Sequence, residues 1–137
     1  CEEMDEGLLR DRLNAVLPAG CEVTDAAASP HRHSPQPARL RYCFPMDAGV
    51  PEDVQRKVRE LMASDCCLIE RRRPGKPVKK IDVRGFIESV EILSRGLDIV
   101  CSISSDGQVR VDELMSVCGI TPGRLDGPVF RTEIKWN

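Results

Sequence analysis

The stretch Arg71–Arg84, RRRPGKPVKKIDVR, gathers side chains whose shared chemistry is the binding of anions. It holds seven of the twenty Lys and Arg residues: Arg71, Arg72, Arg73, Lys76, Lys79, Lys80 and Arg84. Against these stands one acid, Asp82, so the segment carries a local net charge of +6 in a chain whose net charge is −2. A guanidinium can grip a phosphate through two hydrogen bonds, an ammonium meets it as a point charge, and each neutralised phosphate adds affinity by releasing counterions. Six or seven bases on one hairpin have the reach to span several phosphates of an RNA. The segment has no aromatic on which a base could stack; Tyr42 and Phe86 are the candidate platforms nearby. Two other readings compete: a surface that docks on an acidic protein, and a solvated loop that blunts a sheet edge.

The remaining reactive residue types fall into no catalytic pattern. His31 and His33, spaced i, i+2, need further ligands to hold a metal, and neither Cys21 nor Cys43 has a partner at ligand spacing. No metal site and no cofactor in this chain is expected. No carboxylate pair is spaced for acid–base work, and Asp82 between Lys80 and Arg84 reads as a charge partner. Ser104–Gly107, SSDG, is a turn without the flanks of a nucleophile elbow. Gly75-Lys76 lacks the upstream glycine and the following Ser or Thr of a phosphate loop. A cysteine nucleophile would need a His base, and both His lie in a proline-rich loop.

The elements that must position these residues are legible in the hydrophobic pattern. Glu6–Leu17 reads as a helix with Leu9, Leu13, Val16 and Leu17 on one face, and the following CEVTDAAA at 21–28 as a short strand. Ser29–Pro37 contains three prolines and is a loop. Arg39–Phe44 alternates, with Leu40, Tyr42 and Phe44 on the buried side. Pro51–Ala63 is the clearest helix, its stripe Val54, Val58, Leu61 and Met62, with Pro51 suited to the first helical position. Cys66–Glu70 is a strand, Pro74-Gly75 a turn, and Val78–Val83 extended again, which makes the basic segment a hairpin. Phe86–Leu93 and Leu97–Ser104 form a second hairpin, Asp112–Cys118 a short helix stopped by Gly119, and Val129–Trp136 a last strand.

This order predicts an α+β fold in which helices cover one face of an antiparallel sheet, ferredoxin-like (split βαβ) from about residue 39, with the basic β-hairpin as an addition. Residues 1–37 read as the helix-strand tail of a preceding unit plus a Pro-rich loop, and 38–137 as the domain. Residues 1–30 carry seven acids and two bases, so the chain is strongly dipolar. Seven cysteines, an odd number without a CxxC, argue against a disulfide framework and for small buried apolar roles in a reducing cytoplasm. No apolar run approaches the ~20 residues of a membrane helix, and the acidic start carries no signal-peptide pattern. A first residue of Cys reads as the start of a fragment.

Four stretches together resemble a known family. They are LLRDRLNAVLPAGCEVTDA at 8–26, KPVKKIDVR at 76–84, SSDGQVRVDELMSVCG at 104–119 and RTEIKW at 131–136. The chain is similar over nearly its whole length to the C-terminal two-thirds of the radical SAM-linked protein family, a bacterial domain of unknown function. In that family the domain lies beside, or fused to, a cobalamin-binding-type radical SAM protein. The resemblance implies such a protein as partner, and an accessory role, since the seven cysteines include no CxxxCxxC triplet to hold its cluster. Positions matching the family's motifs are Lys76, Asp82 and Arg84 in the hairpin and Arg131, Thr132 and Glu133 near the end. The expected function is therefore non-catalytic: recognition of RNA or another polyanion through 71–84, or docking of the radical SAM partner.

Overall fold

The computed structural model describes residues 5–27 and 35–137. The chain divides into two compact units, 1–34 and 35–137. In the first, helix α1 (Glu6–Asn14) starts where the Asp5 carboxylate accepts the Leu8 amide, satisfying one of the donors a helix start leaves open. The periodicity predicted a helix to Leu17, but it ends at Asn14. The Asn14 side-chain amide turns to Val23, accepting its N–H at 2.7 Å and donating to its carbonyl at 3.0 Å. That pair of bonds is what a partner strand would have supplied. The described part of that stretch, 21–27, accordingly forms no strand: one side-chain amide satisfies Val23, and among the described residues no other segment pairs with it.

The second unit is a four-stranded antiparallel sheet with two helices and a separate two-stranded hairpin. Its elements are β1 (Pro37–Pro45), α2 (Glu52–Ala63), β2 (Leu68–Arg71), β3 (Lys79–Asp82), β4 (Ile87–Leu93), β5 (Gly96–Ser102), α3 (Val111–Cys118) and β6 (Phe130–Trp136). The sheet order is β4-β5-β1-β6, so the path from β1 to β4 skips over β5, and the path from β5 to β6 skips over β1. The hairpin β2–β3 is inserted in the first of these connections. The mixed helix-and-sheet class and the antiparallel sheet are as the hydrophobic pattern indicated.

Alternation along the central strands builds the core. Leu97, Ile99 and Cys101 of β5 and Phe44 of β1 are buried on one face, against Val54, Val58 and Leu61 of α2 and Leu114 and Cys118 of α3. Met62 packs at the margin of this cluster. Helix α2 begins at Glu52 with Pro51 as its cap residue, one step outside the position expected, because Pro51 is extended. Helix α3 closes on Gly119, which is left-handed at φ 71 and sends its amide back to the last turn. Of the cysteines, Cys101 and Cys118 do act as small core residues, whereas Cys21 and Cys66 are exposed. Burial pushes the Cys101 thiol up to about 12 and the Cys118 thiol to about 11. Both stay protonated across the physiological range and are poor nucleophiles there.

The β4–β5 turn depends on Gly96. Its φ is 148, and a Cβ there would collide with the carbonyl oxygen of Phe44 on the neighbouring strand. No rearrangement short of separating β5 from β1 makes room. Gly96→Ala is expected to cost about 3 kcal/mol or more in a urea unfolding titration. Gly123→Ala, where a Cβ meets open space, should stay within about 0.5 kcal/mol of the parent.

Candidate anion-binding site

The basic segment forms the expected hairpin, and its register sorts the charges. Leu68 faces Asp82, Ile69 faces Ile81, Glu70 faces Lys80 and Arg71 faces Lys79. Directly opposed residues of an antiparallel pair share a face. Ile69 and Ile81 pack against the core, so Arg71 and Lys79 are on the inner face and Lys80 is on the outer face, opposite Glu70. Arg72 reaches the same carboxylate at 3.4 Å on the exposed surface. At the tip, the Lys76 amide donates to the Arg73 carbonyl at 3.1 Å across Pro74-Gly75. Gly75 has φ 72, the conformation that the third residue of a type II turn requires. The turn therefore sets Arg73 and Lys76 side by side.

Two of the seven bases serve the fold. The Arg71 guanidinium donates to Glu113 of α3 through Nε at 2.6 Å and a terminal nitrogen at 2.7 Å, and also to the Gln108 carbonyl. Only 14% of the Arg71 side chain and 10% of the Glu113 side chain remain exposed. Glu113 in turn accepts the Arg110 amide at 2.8 Å, closing the start of α3. Arg84 donates to the carbonyls of Met62 and Ser64 at the end of α2, at 3.2 and 3.0 Å, and to Ile87 of β4 at 2.8 Å. A guanidinium there meets orphan carbonyls at the negative end of a helix. Asp82 accepts the amides of Cys67 at 2.8 Å and Arg84 at 3.0 Å. These backbone donors hold its carboxyl below the usual carboxylate range.

The other bases on the inner side stay available. Arg73, Lys76 and Lys79, together with Arg71, line a concavity of about 500 Å³ whose wall is Pro77, Val78 and Ile81. Its far rim is the Asp106-Gly107 turn, closed by reciprocal bonds between Ser104 and Gly107. Among the described residues, Arg73, Lys76 and Lys79 make no side-chain hydrogen bond or ion pair, and neither does the Asp106 carboxylate. Composition located the basic cluster but not its opposite wall. Asp106 and Glu113 lie tens of residues downstream, and nothing in their local sequence signals that they meet the hairpin.

The positions at the end of the chain lie elsewhere. Arg131, Thr132 and Glu133 belong to the edge strand β6 of the four-stranded sheet, away from the sheet that carries Asp82. Glu133 stands 3.6 Å from Arg41, itself 3.9 Å from Asp98, while Arg39 pairs with Glu88 at 2.7 Å, an ion-pair row across the strands. Thr132 falls at the β1–β6 register shift, and Arg131 lies opposite Tyr42. His31 and His33 lie outside the described residues. Among the described residues no group of three His, Cys, Asp or Glu side chains is placed to hold a metal ion, and no helix is long and apolar enough to cross a membrane.

Residues 1–116 match the model of a family described as an uncharacterized protein conserved in bacteria (DUF2344). The chain belongs to that family. The matched stretch contains the whole hairpin, Asp106 and Glu113, and stops within α3, before β6. No curated protein and no solved structure matches the chain.

Glu113 gives the site a pH-dependent anchor. The Arg71 guanidinium, helped by the Arg110 amide, holds the Glu113 carboxyl below its ordinary value of 4.5. The stability this pair adds is therefore complete above pH 4.5 and is lost as pH falls through the lower folded-state value. Glu113→Ala leaves Arg71 largely buried without a partner and is expected to cost about 3 kcal/mol at pH 7. In unfolding titrations repeated from pH 7 to pH 3, the gap between parent and variant should narrow as the pH falls.

Proposed function

We propose that this chain is a non-catalytic recognition module that binds RNA through the basic hairpin and serves a radical SAM protein on the same or a neighbouring chain. One observation carries the RNA reading: Arg73, Lys76 and Lys79 converge unpaired on one concavity, held in place by a largely buried ion pair and a glycine-dependent turn. A solvated loop has no reason to be anchored in this way. Arg72 and Lys80 extend the charge over the outer face of the same hairpin, so a strand leaving the concavity meets further cations. The radical SAM association is supported by the family resemblance of 8–26, 76–84 and 104–119. The lack of a CxxxCxxC triplet and the neutral buried thiols of Cys101 and Cys118 support a role beside the catalyst.

A second reading rests on the outer face, where Leu68 is exposed in register with Asp82 and next to the Glu70–Lys80 pair. An exposed apolar side chain among charges suits docking on the radical SAM protein itself.

Fluorescence anisotropy of a labelled single-stranded RNA at several salt concentrations tests the first reading. The Arg73→Ala, Lys76→Ala, Lys79→Ala triple variant should bind about tenfold or more weakly, with a log–log salt slope shallower by about 2, from ~0.7 per phosphate contact. Arg71 and Arg84 stay intact, because their loss would disturb the fold. An unchanged slope and affinity would sink RNA binding. Co-purification with the radical SAM protein that depends on Leu68 and Lys80 and ignores added RNA would establish docking instead.

A further inference from the structure

We infer that the concavity between the hairpin and the Asp106-Gly107 turn is a seat for a terminal nucleotide: a phosphomonoester against Arg73, Lys76 and Lys79, its ribose hydroxyls against Asp106, its base on the wall of Pro77, Val78 and Ile81. This rests on the RNA-binding reading above and specifies which part of the strand is gripped.

Charge matching selects the phosphate. Glu113 already neutralises Arg71, so three unpaired cations face the single unpaired carboxylate of Asp106. The surplus of two positive charges equals the charge of a phosphomonoester near neutral pH, roughly −1.5 to −2. An internal phosphodiester or a carboxylate brings only one negative charge and leaves the site under-neutralised. The lining therefore favours a strand end, or a free nucleotide, over the middle of a strand.

Asp106 selects what accompanies the phosphate. A carboxylate on the rim of a cationic site weakens its hold on a bare anion. It helps only a ligand that also presents hydrogen-bond donors, because an ionised carboxylate is acceptor-only. The vicinal hydroxyls of a ribose are such donors. The third requirement is an apolar surface for the rest of the ligand. Val78 is 48% exposed on the wall, with Pro77 and Ile81 beside it. A volume of about 500 Å³ falls within the ~300–1,000 Å³ range of small-ligand sites and is larger than a phosphate alone needs.

The test uses the full 137-residue chain and isothermal titration calorimetry with adenosine 5′-monophosphate, its 2′-deoxy counterpart, adenosine and inorganic phosphate. The ribonucleotide should bind roughly tenfold or more tightly than either adenosine or phosphate alone. Lys79→Ala should weaken it by a similar factor. Asp106→Ala, which removes the acceptor, should abolish the preference for ribose over deoxyribose while leaving the affinity for inorganic phosphate equal or higher, an effect that a merely structural role for Asp106 would not produce. Equal binding of adenosine and its monophosphate, or a ribose preference that survives Asp106→Ala, overturns the inference. RNA oligonucleotides with and without a terminal phosphate separate the two sources of the ligand. If both bind alike through the hairpin and the free nucleotide does not compete, the nucleotide seat falls and the RNA reading stands. If the free nucleotide binds but no oligonucleotide does, the RNA reading falls and the seat stands as a free-nucleotide site.

Discussion

The Arg71–Glu113 ion pair is the interaction on which the rest of the candidate site depends. It joins the last residue of β2 to the first turn of α3, across forty-two residues of chain, in surroundings that leave both side chains little water. A two-stranded ribbon is marginal on its own, and this one forms no strand ladder with the main sheet. Three attachments hold it: Ile69 and Ile81 against the core, Asp82 and Arg84 at its base, and Arg71 near its tip. The third ties the end of β2 to the Gln108 carbonyl and to α3, next to the Asp106-Gly107 turn. The same pair neutralises a cation inside the concavity and so sets the charge that a ligand meets.

The basic segment is thereby divided by function in a way its composition conceals. Arg71 and Arg84 spend their guanidinium groups on a carboxylate and on backbone carbonyls, and what they supply is rigidity. Arg72 meets Glu70 on the outer face, where Lys80 stands opposite Glu70 in the register. Of the segment's seven bases, Arg73, Lys76 and Lys79 are the ones that present unpaired positive charge to one common space. A rigid frame matters for recognition because long side chains lose rotamer freedom on binding, and a backbone already ordered adds nothing further to that cost.

The main sheet supplies the platform by a different constraint, close packing. Gly96 lets β5 lie against Phe44 of β1 where a Cβ has no room, and the alternation of β5 feeds Leu97, Ile99 and Cys101 into the cluster shared with both helices. The hairpin emerges between α2 and β4, and Arg84 binds to both, so its base is tied to this core and not to a loop.

Much of this was legible in the residues themselves. Period-2 alternation in 39–44 and 97–103, the helical stripe Val54–Val58–Leu61, and Gly75 and Gly119 at positions needing positive φ are local properties, decided by sterics over a few neighbouring residues. They suffice for the fold class, for most of the elements and for the hairpin. The stretch beginning at Cys21 shows the limit: the alternation of Cys21 and Val23 is real, but a strand exists only where a partner does, and Asn14 took that place. What only the tertiary structure decided is the division of the charges and the concavity they face. Pairing Arg71 with Glu113, turning Arg84 onto the end of α2 and bringing Asp106 to the rim of the concavity that Lys79 lines are consequences of how the hairpin and α3 pack. Those contacts join residues distant along the chain, and no spacing within either segment encodes them.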